Sequence, residues 1–366
     1  MKFSCFFYLV FTIFISCNSN SIIDKKWELV KLTDIKKTVV DSFNIRPVNY
    51  LPYDIIRRDS SLIIRNLQSD TIFRVFSLPS FKYMGWFGKL GKGPNEFLLA
   101  PLIREHNGLI QLSDVRKIML IDLPQKNIKN KFRIINEFLV PGKLMPLNET
   151  FSLNDDRYYG ITFMGKKSDL EKRKELVYFN TKTNDTGSLI DFPTSLFRDF
   201  PSYSFLYPKS ITISPENDKF AFCYLLYPLI RIFDKRLEII KEIWVEDLPK
   251  QIAFKNVSAT VSSGKRSNLP LSYGYYRKVI SSSKLIYALY LSDKGIEKET
   301  GKLSYERLQL SNPELHVFTW EGKPVYRISL RKATSAIELS ADEKYLYSVE
   351  ADKEDKIFVY DIQKFK

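Results

Sequence analysis

Past the first few residues, apolar and polar positions alternate in short runs, and sustained helical spacing is hard to find. Between Tyr53 and Gly88, the runs YDIIRR, SLIIRNL, TIFRVFSL and FKYMGWFG follow one another, separated only by DS, QSD and PS. Such runs, rich in Ile, Val, Phe and Tyr and bounded by Asp, Asn, Ser, Gly or Pro, are the pattern of strands. Four in succession with short turns predict an up-and-down antiparallel sheet.

The unit recurs, and recurrence decides architecture. A second copy spans about Pro101 to Ile134, and a third runs from FSLNDDRYYGITFMG to GSLIDF with a charged insertion near Lys166–Lys174. The copy from Lys209 to Val245 is the cleanest. A fifth begins at YYRKVISSSKLIYALYLS and carries an insertion around Gly295–Pro313. The sixth, TSAIELSADEKYLYSVEADKEDKIFVYDIQKF, stops after three strands. WELVKLTDIKKTVVDSFNI, Trp27 to Ile45, holds strand-like runs with no sheet of their own, so one of them is expected to complete the last sheet. The fold class predicted is therefore all-β, a six-bladed β-propeller of four-stranded antiparallel blades whose last blade is completed by an N-terminal strand. Radial repetition leaves only short, protected edges. A seventh blade stays open if Pro193–Pro208 or Lys250–Tyr276 hides one.

Particular residues carry a resemblance. ITISPENDKFAF and IELSADEKYLYSV resemble the inner-strand hairpins of TolB-like and other six-bladed propellers. FGKLGKGPNEF resembles the G-x-G-P-x-E-F segment of six-bladed propeller lipoproteins of Bacteroidota, which are similar in layout to NHL repeats. Gly91, Gly93, Pro94, Glu96 and Phe97 match that segment, while Asn95 stands where Gly is common. The resemblance implies a propeller fold and assigns no activity. Three glycines, Gly88, Gly91 and Gly93, crowd this segment of a chain with only 14 in all. A phosphate loop would need a helix after its glycines, and FLLAPLIREHNGL offers none. The expected role is a blade connector, in which Glu96 caps backbone N–H groups and Phe97 wedges between blades; a ligand contact is the alternative.

The first seventeen residues, MKFSCFFYLVFTIFISC, place Lys2 before an apolar run that ends in Ser16 and Cys17. This is the layout of a secretory signal, and its end resembles a bacterial lipobox with Cys17 as the lipidated residue, although Phe14 stands where Leu is usual. An ordinary signal peptide is the alternative. The expected organisation is a signal over 1–17, a tether over 18–26 and one propeller domain over 27–366. Two or more acyl chains suffice for stable anchoring, so the expected location is the cell envelope, as an outer-membrane lipoprotein. Of the three cysteines, Cys5 lies in the signal and Cys223 reads as a buried hydrophobe. No disulfide or thiol metal site is left to the mature chain.

The formal charge is +14, which favours acidic surfaces such as anionic glycans, lipid headgroups or proteins. No nucleic-acid module is present, and a monomer is expected. His106 and His316 lack ligand-spaced neighbours, and a G-x-S-x-G elbow is missing. No metal, cofactor or catalytic residue is assigned. Carboxylates such as Asp114, Asp122, Asp155, Asp156, Asp234, Asp342 and Asp361 read as turn residues. Glycan chemistry nevertheless needs only two carboxylates facing one another, and the sequence does not say which do.

Two long connectors mix aromatics with basic residues, a composition suited to a sugar ring, an acidic polymer or a protein. They nominate Tyr203 and Tyr207 in DFPSYSFLYP, and Lys265, Arg266, Tyr273, Tyr275, Tyr276 and Arg277 in SGKRSNLPLSYGYYRK, as ligand-binding residues. The function that follows is a lipid-anchored, non-catalytic binding or interaction module for a glycan or an envelope protein. The alternatives are a propeller hydrolase or lyase acting on polysaccharide through channel carboxylates or a Tyr/Arg pair, and a purely structural envelope subunit.

Overall fold

The computed structural model describes residues 28–47, 51–67, 69–93, 95–114, 116–144, 147–154, 156–162, 176–190, 208–224, 228–246, 275–292, 312–351 and 353–365. They form six sheets whose first strands contact one another around a central axis, a six-bladed propeller. The first strands of the blades, in order, are Pro52–Arg58, Leu102–His106, Leu147–Asn154, Pro208–Ile213, Tyr276–Ser281 and Thr334–Leu339. Each pairs antiparallel with the next strand of its own sheet.

The apolar runs of the sequence fill the spaces between blades. Ile63, Phe73 and Phe87 of the first blade meet Ile103, Ile110 and Met119 of the second. Phe151 and Tyr159 of the third meet Phe220 and Phe233 of the fourth. The ring closes where Ile55, Ile64 and Phe76 of the first blade pack against Ala336, Val349 and Ile357 of the sixth. Each blade thus buries both faces, which explains why its middle strands read as continuous apolar runs rather than strict alternation.

The sixth blade supplies three strands from the C-terminal segment, and Val40–Asn44 adds the fourth by antiparallel pairing with Lys353–Asp361. The same N-terminal segment first lays Glu28–Val30 along the outer strand of the fourth blade and Ile35–Lys36 along that of the fifth, both in parallel. The second repeat extends beyond the expected Ile134. Its fourth strand is Arg133–Leu139, while Ile128–Lys129 leaves to pair with Gly85 and Trp86 of the first blade. Asn127 and Asn130, both at positive φ, turn the chain out to that edge and back.

Candidate functional site in the central channel

The first strand of every blade turns polar side chains toward the axis. Five of the six contribute a charge, namely Asp54, Arg104, Glu149, Lys278 and Glu338, and the fourth blade contributes Thr212. Together they surround a cavity of about 480 Å³. It extends to the turns that follow the first strands, where Asp59, Asn107 and Ser214 line it. Sites that enclose small ligands commonly hold roughly 300–1,000 Å³.

The charges are ordered in pairs. Lys278 Nζ lies 2.7 Å from Asp54 Oδ1, across the sixth blade. Arg104 Nη2 donates to Glu149 Oε2 at 3.1 Å and to the Ile211 carbonyl at 2.9 Å, tying the second, third and fourth blades together. Thr212 and Ser281 share a hydroxyl hydrogen bond of 2.8 Å between the fourth and fifth blades. Burial alone would lower the Lys278 ammonium, but Asp54 and Glu149 outweigh it and hold it above the ordinary lysine value. Glu338 differs. Its Oε1 accepts the Leu339 N–H at 2.9 Å, and burial pushes its carboxyl up to about 7 against the opposing pull of Lys278 and Arg57.

The hairpins that carried the family resemblance hold the first strands' ends. Ser214 Oγ donates to Asp218 Oδ1 at 2.6 Å and accepts the Lys219 N–H at 3.1 Å. Ser340 repeats this in the sixth blade, donating to Asp342 Oδ1 at 2.7 Å and accepting the Tyr345 N–H at 2.9 Å. A Ser after the strand followed by an Asp therefore fixes the turn beside the channel.

The connector between the first two blades behaves as a structural clasp. Glu96 Oε2 accepts the Gly93 N–H at 2.7 Å, and Gly91 N–H donates to the Phe97 carbonyl at 3.0 Å. A Cβ on Gly91 would stand only 2.0 Å from Glu96 Oε2. Phe97 is buried among Phe73, Phe87 and Ile103, between the blades. Gly88 sits at φ 71° beside it, and Pro94 lies outside the described residues.

Among the residues nominated from the two long connectors, Tyr203, Tyr207, Lys265, Arg266 and Tyr273 lie outside the described residues, as does Cys17. Tyr275 and Tyr276 are 5% and 0% exposed, packed between the fourth and fifth blades. Tyr276 Oη meets His316 Nδ1 at 3.2 Å, and His316 Nε2 meets Glu314 Oε2 at 3.1 Å. These rings are core and offer no open face to a ligand. Arg277 covers the Tyr53 ring with its guanidinium 4.2 Å from the centroid and donates from Nε to the Ser335 carbonyl at 2.7 Å. It belongs to the ring's interior joint.

Cys223 is a buried thiol between the same blades. Among the described residues, no group of three or more His, Cys, Asp or Glu side chains is placed to hold a metal ion. Asp234 and Asp342 serve their own turns, accepting backbone N–H groups two residues on. Asp122 instead receives Arg58 at 2.7 Å and Arg133 at 3.3 Å, linking two blades.

The fold is shared widely, though at low sequence identity. A DUF4221-family protein of Bacteroides vulgatus superposes with a TM-score of 0.65 at 11% identity, covering 90% of this chain and 97% of its own. A Bacteroides fragilis protein described as exported superposes at 0.55 and 10% identity, covering 91% of this chain and 99% of its own. Comparison with curated proteins by sequence found no significant match. The sequence model of the TolB-like six-blade propellers matches residues 33–342, from the segment before the closing strand to the first turn of the sixth blade. This chain belongs to the TolB-like six-blade propeller family.

Proposed function

We propose that this protein is an exported, lipid-anchored propeller of the cell envelope that binds a small polar ligand, a short glycan, in its central channel without transforming it. The observation that carries this is the cavity of about 480 Å³ lined by charged and hydroxyl side chains from all six blades. Carboxylates, Thr212, Ser281 and Asn107 provide the convergent donors and acceptors that sugar hydroxyls need. The anchor rests on Lys2, the apolar run after it and Cys17. Export is also the description of the Bacteroides fragilis neighbour.

One observation favours a second reading, hydrolysis or elimination on a polysaccharide. Glu338 has a carboxyl near neutrality, while Asp54 and Glu149 in the same cavity are paired with cations. Glycoside cleavage asks for one protonated and one ionised carboxyl group. A thermal-shift screen against neutral, basic and acidic oligosaccharides tests binding, because a ligand selective for the folded state raises the melting temperature with concentration. Incubating each hit with the protein and resolving the sugars by mass spectrometry then separates the two readings. An intact ligand supports the binding module, and fragments support the enzyme.

A further inference from the structure

We infer that the channel cavity selects a ligand carrying a protonated amine, an aminosugar in its free-amine form, and that Glu338 is the group that receives the ammonium. This rests on the binding function proposed above and narrows its ligand class.

The chain as a whole is strongly basic, at +14, yet among the described residues its channel cavity is lined by more carboxylates than cations. Two of the three cations are already spoken for: Lys278 by Asp54 at 2.7 Å and Arg104 by Glu149 at 3.1 Å. The third, Arg57, donates from Nε to the Leu339 carbonyl at 3.2 Å. Of the remaining carboxylates, Asp59 is 77% exposed with Arg58 3.8 Å away, and Glu105 accepts the Gly108 N–H at 2.7 Å. Glu338 takes one backbone N–H and forms no ion pair among the described residues. Lys278 and Arg57 act on it only from a distance, so among the described residues it is the enclosed cavity carboxyl without a directly paired cation.

An ammonium supplies a direct counter-charge in a partly dehydrated site, so the pairing is stronger there than in solution. A neutral sugar hydroxyl would hydrogen-bond to Glu338 but leave its charge unmatched. An anionic ligand would have to compete with Asp54 and Glu149 for Lys278 and Arg104, while lying among carboxylates. Small cations that stay in the cavity are further distinguished by the hydroxyls of Thr212 and Ser281, which suit a sugar frame.

Proton linkage gives a second handle. Burial raises the Glu338 carboxyl to about 7 in the presence of Lys278 from the fifth blade and of Arg57 and Asp54 from the first. Arg104 and Glu149 complete the charges around the cavity. A bound ammonium favours the ionised carboxylate, so binding expels the proton held below that pH. Affinity for the amine should therefore fall as pH drops from 7 to 5, while affinity for a neutral sugar of the same shape should change little.

The test is isothermal titration of the full-length chain in mild detergent with three β-1,4-linked disaccharides of the same ring configuration: those of glucosamine, of glucose as the neutral match in size, and of N-acetylglucosamine as the neutral acylated form. The glucosamine disaccharide should bind at least tenfold tighter than the other two at pH 7, and lose at least tenfold by pH 5. Glu338→Gln should abolish both the preference and the pH dependence. If the variant fails to fold, the pH series on the wild type still decides. Equal binding of all three sugars, or a preference that survives Glu338→Gln, overturns the amine selection and leaves the glycan-binding function standing. No binding of any of the three contradicts both.

Discussion

Lys278 Nζ and Asp54 Oδ1 are 2.7 Å apart although 224 positions separate them in sequence. Lys278 stands on the first strand of the fifth blade and Asp54 on that of the first, so their contact passes over the sixth blade. Their side chains are 20% and 12% exposed, which places the pair in a partly dehydrated space. The ring is therefore closed twice: at its rim by the strand Val40–Asn44, and at its axis by an ion pair. The first and fifth blades cannot move apart at the axis without breaking the ion pair, nor can the sixth blade release its outer strand without opening the rim.

Removing Lys278 leaves Asp54 without its cation, and an unpaired buried charge costs more than the pair contributes. Lys278→Met should lower stability by about 1–3 kcal/mol, and adding Asp54→Asn should recover much of that. Urea denaturation of both variants and the double variant measures the coupling. Additive losses would show that the pair does not act as a unit.

The pH dependence of Glu338 has a defined sign. Its carboxyl titrates near 7 in the folded protein, against an ordinary value of 4.5. The folded state thus holds more protons than the unfolded one across that window, and stability falls as pH rises through it. Glu338→Gln should be more stable than the wild type by on the order of 1–3 kcal/mol at pH 8, with the gain shrinking toward zero at pH 4.5. Denaturation at the two pH values reads the difference, which should not be constant.

His316 has the opposite sign. Burial lowers its imidazole below the usual value, where the Tyr276 hydroxyl donates to Nδ1 and Nε2–H donates to Glu314. Unfolding lets it charge, so stability should fall as pH drops below the ordinary imidazole value of 6.5. His316→Gln should flatten the acid limb of the stability profile, and an unchanged limb would place that limb elsewhere.

Gly91→Ala pushes a methyl group against Glu96 Oε2. The Glu96 cap on Gly93 must then move, and the joint around Phe97 loosens. A loss of about 1–3 kcal/mol is expected, with Glu96→Gln costing less because the amide oxygen still accepts. Melting curves of both variants suffice. A neutral Gly91→Ala would mean that the connector accommodates the methyl group without losing the cap.

Much of this architecture was legible because a blade writes itself into sequence as four apolar runs and three turns. Six copies gave six blades, and SPEND and SADEK marked two of the inner hairpins. The channel charges are also present in the sequence: Asp54 in YDIIRR, Arg104 in PLIREH and Lys278 in YRKVIS each stand third in a first strand, and Glu338 in AIELS stands next to the end of its own. A charged residue recurring within the first apolar run of a repeat is a channel signature, and its position shifts from blade to blade, which hides it from a search at fixed spacing. Attention to aromatic connectors instead pointed to Tyr275 and Tyr276, which are core, because a Tyr beside Pro and Ser looks the same in sequence whether its ring faces solvent or a neighbouring blade. The excursion of Ile128–Lys129 to the first blade was hidden for another reason: two residues in an Asn- and Lys-rich stretch carry no periodicity.

The N-terminal strand gives a test by truncation. A chain starting at residue 28 keeps Val40–Asn44, and should melt within a few degrees of the full chain. One starting at residue 46 exposes the edge of Lys353–Asp361 and removes the rim closure. That chain should melt at least ten degrees lower or aggregate, as followed by circular dichroism. Equal melting of the two would assign the closure to other contacts.

The most direct measurement is a calorimetric titration of the best sugar found by the thermal screen into the wild type and into Thr212→Trp. Thr212 lines the channel and is 5% exposed, so an indole there occupies the cavity from the fourth blade. With folding verified by an unchanged melting transition, the binding heat should disappear in Thr212→Trp. Undiminished affinity in that variant would place the ligand outside the channel and contradict the site assigned to it.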